Sequence, residues 1–178
     1  MHVLWWLAGL AAAVIGLGFL LPRKVTVTRS AVVAAGRDTL FPLVASFKRG
    51  WTRWSPFGPQ RDPTVALVYS GADAGEGAVQ RWTSQKMGNG QMTIVSADPE
   101  RGVMYDLQMG GGKFRSGGQI DLSPDPGGTK VTWSSTIDLG PNPLMHYLGG
   151  MIRTGMGQAF DEGLSTLKRE AEEPIGSA

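Results

Sequence analysis

Cysteine is absent from the 178 residues. A disulfide framework, a thiolate zinc site, an iron–sulfur cluster and a cysteine nucleophile are therefore excluded, and the redox compartment stays open. Histidine is nearly absent too: His2 and His146 are the only two. His2 precedes the part of the chain that can fold, so the usual metal and triad chemistries have little raw material, and neither a metal site nor a cofactor is expected. Charge is missing from Val3 to Leu21, a run of 19 uncharged, mostly apolar residues. The remainder of the chain, Pro22 to Ala178, is the size of a single domain of about 100 to 200 residues.

The apolar run has the dimensions of a membrane segment. At 1.5 Å per residue, a helix of this length reaches roughly 28 Å, close to the hydrocarbon thickness of a bilayer. Trp5 and Trp6 stand at one end, where indoles favour the interface. No basic n-region precedes the run, and Phe19-Leu20-Leu21-Pro22 is a poor cleavage site, so residues 1–22 read as an uncleaved single-pass transmembrane anchor. Arg23, Lys24 and Arg29 come directly after it and place the domain on the cytoplasmic side. Gly9/Ala13 and Ala12/Gly16 have the small-xxx-small spacing that would allow a weak anchor-mediated dimer. Charge is divided along the chain, with +7 from Arg23 to Arg61 and −5 from Asp62 to Ala178. That division suits a near face set against anionic headgroups, although ordinary solvated side chains would give it too.

Alternation from Lys24 to Val33 predicts a strand. Leu40, Phe41, Leu43, Val44 and Phe47 at helical spacing predict a helix over 38–47, capped by Asp38 or Thr39, with a second short helical turn towards Trp54. Six short strands come next, at 64–69, 78–85, 91–97, 103–109, 114–122 and 129–138, separated by glycine-rich turns too short for anything but an antiparallel meander. Val65, Leu67, Tyr69, Val103, Tyr105, Leu107, Met109, Ile120, Leu122, Val131, Trp133 and Ile137 give this sheet one apolar face. The segment 142–172 reads as one long amphipathic helix that covers it, opened after Pro143 and ended before Pro174. The fold class is α+β: a seven-stranded antiparallel sheet curved around a long C-terminal helix, plus the N-terminal transmembrane helix. The domains are 1–22 anchor, 23–173 ligand-binding domain and 174–178 tail.

In this order the motifs resemble the START-like, helix-grip superfamily (SRPBCC), in its polyketide cyclase/dehydrase and lipid-transport branch. The resemblance rests on Trp51-Thr52-Arg53-Trp54-Ser55-Pro56-Phe57 with Asp62-Pro63, on Tyr69-Ser70-Gly71 and Gly75-x-Gly77 before Trp82, and on Gly88-x-Gly90 with Met92 and Ile94. It continues through Gly128-Thr129-Lys130-Val131-Thr132-Trp133 and Phe160-Asp161-Glu162-Gly163-Leu164-x-x-Leu167-Lys168. It spans 25–172 and implies a cavity between sheet and helix that holds a hydrophobic small molecule, a lipid or a polyketide-like ring system. It does not by itself imply catalysis.

Candidate chemistry is sparse. Asp106 alternates with Tyr105 and Leu107 and should point outward. Asp161 and Glu162 are about 100° apart on a helix, so at most one faces inward. Gly110-Gly111-Gly112-Lys113 lacks phosphate-loop spacing, and Gly155-x-Gly157 does not follow a strand, so neither is a nucleotide site. The interleaved Lys48, Arg49, Trp51, Arg53 and Trp54 fit lipid headgroups better than nucleic acid, which is not an expected partner. No catalytic residue is assigned. The expected ligand-binding set is Tyr69, Tyr105, Leu107, Met109, Trp133, Leu148, Met151, Ile152, Met156 and Phe160, with Trp51, Trp54 and Phe57 as a gate in the segment 48–59. The function read from these residues is membrane-anchored binding of a hydrophobic small molecule or lipid. A cyclase-like enzyme using His146, Tyr69 or Tyr105 to handle protons, and a ligand-free interaction module, are the alternatives.

Overall fold

The apolar alternation of Val25 and Val27 against Thr26 and Thr28 sets the pattern for the whole sheet. In the computed structural model, which describes residues 2–59, 61–112 and 114–173, these residues open strand β1 (Lys24–Val33). The valines are buried, while the threonine hydroxyls pair across the outer face with Thr136 and Ser134. Strands β2 (Ala66–Gly71), β3 (Ala78–Ser84), β4 (Gly88–Asp98), β5 (Gly102–Met109), β6 (Phe114–Asp125) and β7 (Gly128–Asp138) complete a seven-stranded antiparallel sheet of order β1-β7-β6-β5-β4-β3-β2. The meander is as expected, and β1 closes it by pairing with β7 from Lys24 against Asp138 to Val33 against Thr129. The expected tail at 174–178 lies outside the described residues.

The apolar run at the N-terminus forms helix α1 (His2–Leu20). Among the described residues no helix is long and apolar enough to cross a membrane, so the expected transmembrane helix is not recovered as one. Helix α2 (Arg37–Ala45) is followed by one π-helical turn at Phe47–Trp51 and a single helical turn, α3 (Thr52–Trp54). The cap of α2 is Gly36, in extended backbone, rather than Asp38 or Thr39.

The long C-terminal helix is divided into α4 (Pro143–His146) and α5 (Gly149–Glu172). Asn142 caps α4 by accepting from the Leu144 amide at 3.0 Å. The break falls just before Gly149-Gly150, where glycine disfavours a continuous helix by about 1 kcal/mol per residue. Gly149 then fits against Val25 and Leu139, where a Cβ would stand only 3.2 Å from Val25. From there α5 runs alongside β1, with Arg29 paired to Asp161 at 3.1 Å and the Lys168 ammonium donating to the Val32 carbonyl at 2.9 Å.

The last turns of α1 are engaged by the domain. Tyr147 donates its hydroxyl proton to the Val14 carbonyl at 2.7 Å, and Gly18 is buried against Pro143, where a Cβ would sit 2.7 Å from the Pro143 carbonyl oxygen. His146 is buried between two backbone carbonyls, with Nδ1 2.9 Å from Gly18 O and Nε2 3.1 Å from Gly140 O. A neutral imidazole can donate to only one of them.

Candidate functional site

The inward phase of β2 to β7 and the first half of α5 leave a space that their side chains do not fill. It is a cavity of about 490 Å³. That volume falls within the range of small-molecule sites, about 300 to 1,000 Å³. Its walls are mainly apolar: Leu67, Met92, Leu107, Met109 and Ile137 from the sheet, with Ile152 and Met156 from α5. The floor is aromatic. Trp133 stacks on Phe160 with centroids 4.0 Å apart, and Trp51 meets Tyr105 and Trp133 edge to face at 5.4 and 5.8 Å.

Two glycines make this floor possible. On β6 the Tyr105 ring lies across Gly118, where any Cβ would collide with it. On α5, a Cβ at Gly163 would stand 2.8 Å from the Trp133 ring and 2.9 Å from Pro56, so only glycine lets the helix approach this closely.

One corner of the cavity is polar. Trp133 Nε1 donates to the Tyr105 hydroxyl at 2.7 Å, and the Ser116 and Ser135 hydroxyls are 2.8 Å apart. Burial pushes the Tyr105 hydroxyl up to about 12, so it stays protonated. Gln80 also lines the cavity, is 8% exposed, and its carboxamide has no hydrogen-bond partner among the described residues. Its amide reaches the open space of the cavity, whereas the indole Nε1 of Trp82, in the same wall, is the side-chain polar atom that is fully buried without a partner among the described residues.

Of the expected ligand-binding residues, Tyr105, Leu107, Met109, Trp133, Ile152, Met156 and Phe160 line the cavity. Tyr69 does not; it is half-buried on β2, two residues on from Leu67, which does, and burial raises its pKa. Leu148 and Met151 face outward, Met151 being 67% exposed, because the break between α4 and α5 turns them away from the sheet. Two of the three expected gate residues are anchored by hydrogen bonds. Trp54 is 2% exposed and donates to the Leu43 carbonyl at 2.9 Å, and Trp51 donates to the Val44 carbonyl at 2.7 Å, so both are fixed parts of the core. Trp51 and Phe57 both line the cavity, Trp51 buried and Phe57 half-buried, and Trp54 does not. The basic start of that segment lies far from α1: Ser46, beside Lys48, donates to the Asp73 carbonyl in the β2–β3 turn at the opposite end of the sheet. His146 faces α1 rather than the cavity. Asp161 and Glu162 are held apart by Arg29 and Arg61. Sequence reasoning passes over Gln80 and Ser135, although Ala78, Gln80 and Trp82 alternate on one face and a lone glutamine on an inward phase is itself a signal.

No curated protein matches the chain. Its fold is shared with solved structures of low identity. Norcoclaurine synthase from Thalictrum flavum, in complex with dopamine and hydroxybenzaldehyde, superposes with a TM-score of 0.59 at 16% identity over 85% of this chain and 90% of that one. The di-domain aromatase/cyclase StfQ of the steffimycin biosynthetic pathway gives 0.62 at 17% identity, covering 86% of this chain and 52% of the longer protein. A protein from Chromobacterium violaceum gives 0.59 at 14% identity over 84% and 99%. A family model for polyketide cyclase/dehydrase and lipid transport matches residues 24–172, from the first residue of β1 to the last of α5, and the chain belongs to that family.

Proposed function

We propose that the protein binds a hydrophobic small molecule or lipid in the cavity between α5 and the sheet, and that α1 holds it at a membrane. The observation that carries the reading is the cavity of about 490 Å³, apolar over most of its wall, with Tyr105 and Ser135 at one corner and Gln80 farther along the sheet on β3. The ligand that fits is amphipathic: an apolar body along Leu107, Met109 and Met156, and an oxygen-bearing end that exchanges hydrogen bonds with the Tyr105 and Ser135 hydroxyls. Burying its apolar part contributes about 25 cal/mol per Å². For α1, the support is its exposed apolar surface, including Trp5, Trp6, Leu10, Leu17 and Phe19. Uptake of a fluorescent acyl-chain probe tests the cavity. The full chain should bind it saturably, and Met156→Trp, which fills the space, should abolish binding without unfolding the protein. Equal binding by both would refute the reading.

A cyclase-like reaction is the second reading, and the protonated Tyr105 hydroxyl is the observation that favours it. Positioned by Trp133, it could donate a hydrogen bond to a carbonyl that gains charge in a transition state. Turnover of an aromatic polyketide-type substrate that disappears in Tyr105→Phe while binding persists would establish it.

A further inference from the structure

The direction in which the cavity opens is set by the topology. The end of the sheet where β1 starts and β7 stops is also the end of the β3–β4 and β5–β6 turns and of the first turn of α5. The cavity's rim is drawn from these pieces: Met87 from the first turn, Met109 and Phe114 beside the second, and Ile152 from α5. Helix α1 joins β1 through only Leu21, Pro22 and Arg23, and its last turns are fastened to α4 and the residue after it. The apolar helix and the mouth of the cavity are therefore at the same end of the molecule.

Two further features of that end point to one occupant. Apolar side chains stand out of it into solvent: Phe114 at 46% exposure on the rim, Leu144 on α4, Tyr147 between the helices, Met151 at the start of α5, and Phe19 and Leu20 at the end of α1. Around them are exposed cations, Lys24, Lys86, Arg115 and Arg153. Two carboxylates at this end are already engaged, Asp138 by Arg23 at 2.7 Å and Asp62 by Thr64 and Ser84. Apolar side chains ringed by lysine and arginine fit the headgroup and upper acyl region of an anionic lipid leaflet. We infer that the mouth of the cavity docks onto such a leaflet, with Phe114, Leu144 and Met151 entering the lipid and the basic residues meeting headgroups, so that the ligand passes between bilayer and cavity without crossing water. This deepens the function proposed above and rests on it for the ligand, while the docking itself is measured independently of any ligand.

The absence of cysteine makes the test direct. Phe114→Cys and Met151→Cys, introduced singly in the full chain and labelled with an environment-sensitive fluorophore, report the mouth. Met104→Cys, on the outer face of β5, is the control. With vesicles of phosphatidylcholine and phosphatidylglycerol, the first two labels should shift to the blue with a several-fold gain in emission, and the control should not move. Lys86→Glu with Arg115→Glu should remove the shift while the protein still sediments with vesicles through α1. Labels at Phe114 and Met151 that stay in water while the protein is vesicle-bound would overturn the inference, because the mouth would then face away. A blue shift that appears without vesicles as protein concentration rises would overturn it as well, by making a second copy the occupant.

Discussion

The indole of Trp133 lies flat on the ring of Phe160, with centroids 4.0 Å apart and planes 7° from parallel. This contact joins β7 to α5, and both rings line the cavity. The same indole donates to Tyr105, so one residue positions both the aromatic floor and its polar corner.

Removing either partner should therefore cost far more than removing a wall residue. Phe160→Ala is expected to destabilise the domain by about 3 to 5 kcal/mol, the usual range for a buried aromatic. Met156→Ala should cost much less, since it already borders empty space. Urea unfolding of the two variants measures the difference.

Trp51 and Trp54 are core residues, held by carbonyls of α2. Trp54→Ala should lower stability by about 3 to 5 kcal/mol and leave the Leu43 carbonyl without its donor. Ligand uptake should fall only with the folded fraction. Full stability combined with accelerated uptake in thermal and stopped-flow measurements would restore them as a gate.

Tyr105 gives a pH signature. Its hydroxyl pKa is raised from an unfolded value near 10 to about 12. The stabilisation linked to it is complete below the unfolded value and is lost as pH rises through the folded one, at a slope of at most about 1.4 kcal/mol per pH unit. Stability should decline between roughly pH 10 and 12, and Tyr105→Phe should flatten that decline. Tyr105→Phe also leaves the buried Trp133 N–H without an acceptor, so it should be less stable at neutral pH by about 1 to 3 kcal/mol.

At the acid end, Asp138 is held below the usual carboxylate range by its hydrogen bonds from Arg23 and the Gly140 amide, and Asp62 by those from Ser84 and Thr64. Depressed carboxylates contribute stability above their unfolded pKa, about 3.9, and lose it as pH falls through the lower folded value. Asp62→Asn should reduce the acid sensitivity and loosen the segment that returns from Phe57 to β2. Circular dichroism from pH 5 down to pH 2 monitors both effects.

Strands are legible in the sequence because Val25 and Val27, or Val103 and Tyr105, repeat with the period of a pleated sheet between glycine turns. Leu148 and Met151 are misplaced by sequence because a single amphipathic stripe assumes an unbroken helix, and the turn at Tyr147 shifts their phase. The anchoring of Trp51 and Trp54 is not legible in the sequence, because an indole at helical spacing looks the same whether or not a carbonyl holds it. The carbonyls that pin them belong to α2 and are met only in three dimensions. Gln80 escapes notice because the register of β3 between β2 and β4 decides whether it faces in, and short turns leave that register open.

That the space between α5 and the sheet holds a hydrophobic molecule is tested most directly by native mass spectrometry of the purified full chain, with organic extraction of its bound contents. One amphipathic molecule per protein, absent from Met156→Trp, is the predicted result. An empty wild-type chain that also fails to take up an acyl-chain probe would contradict it.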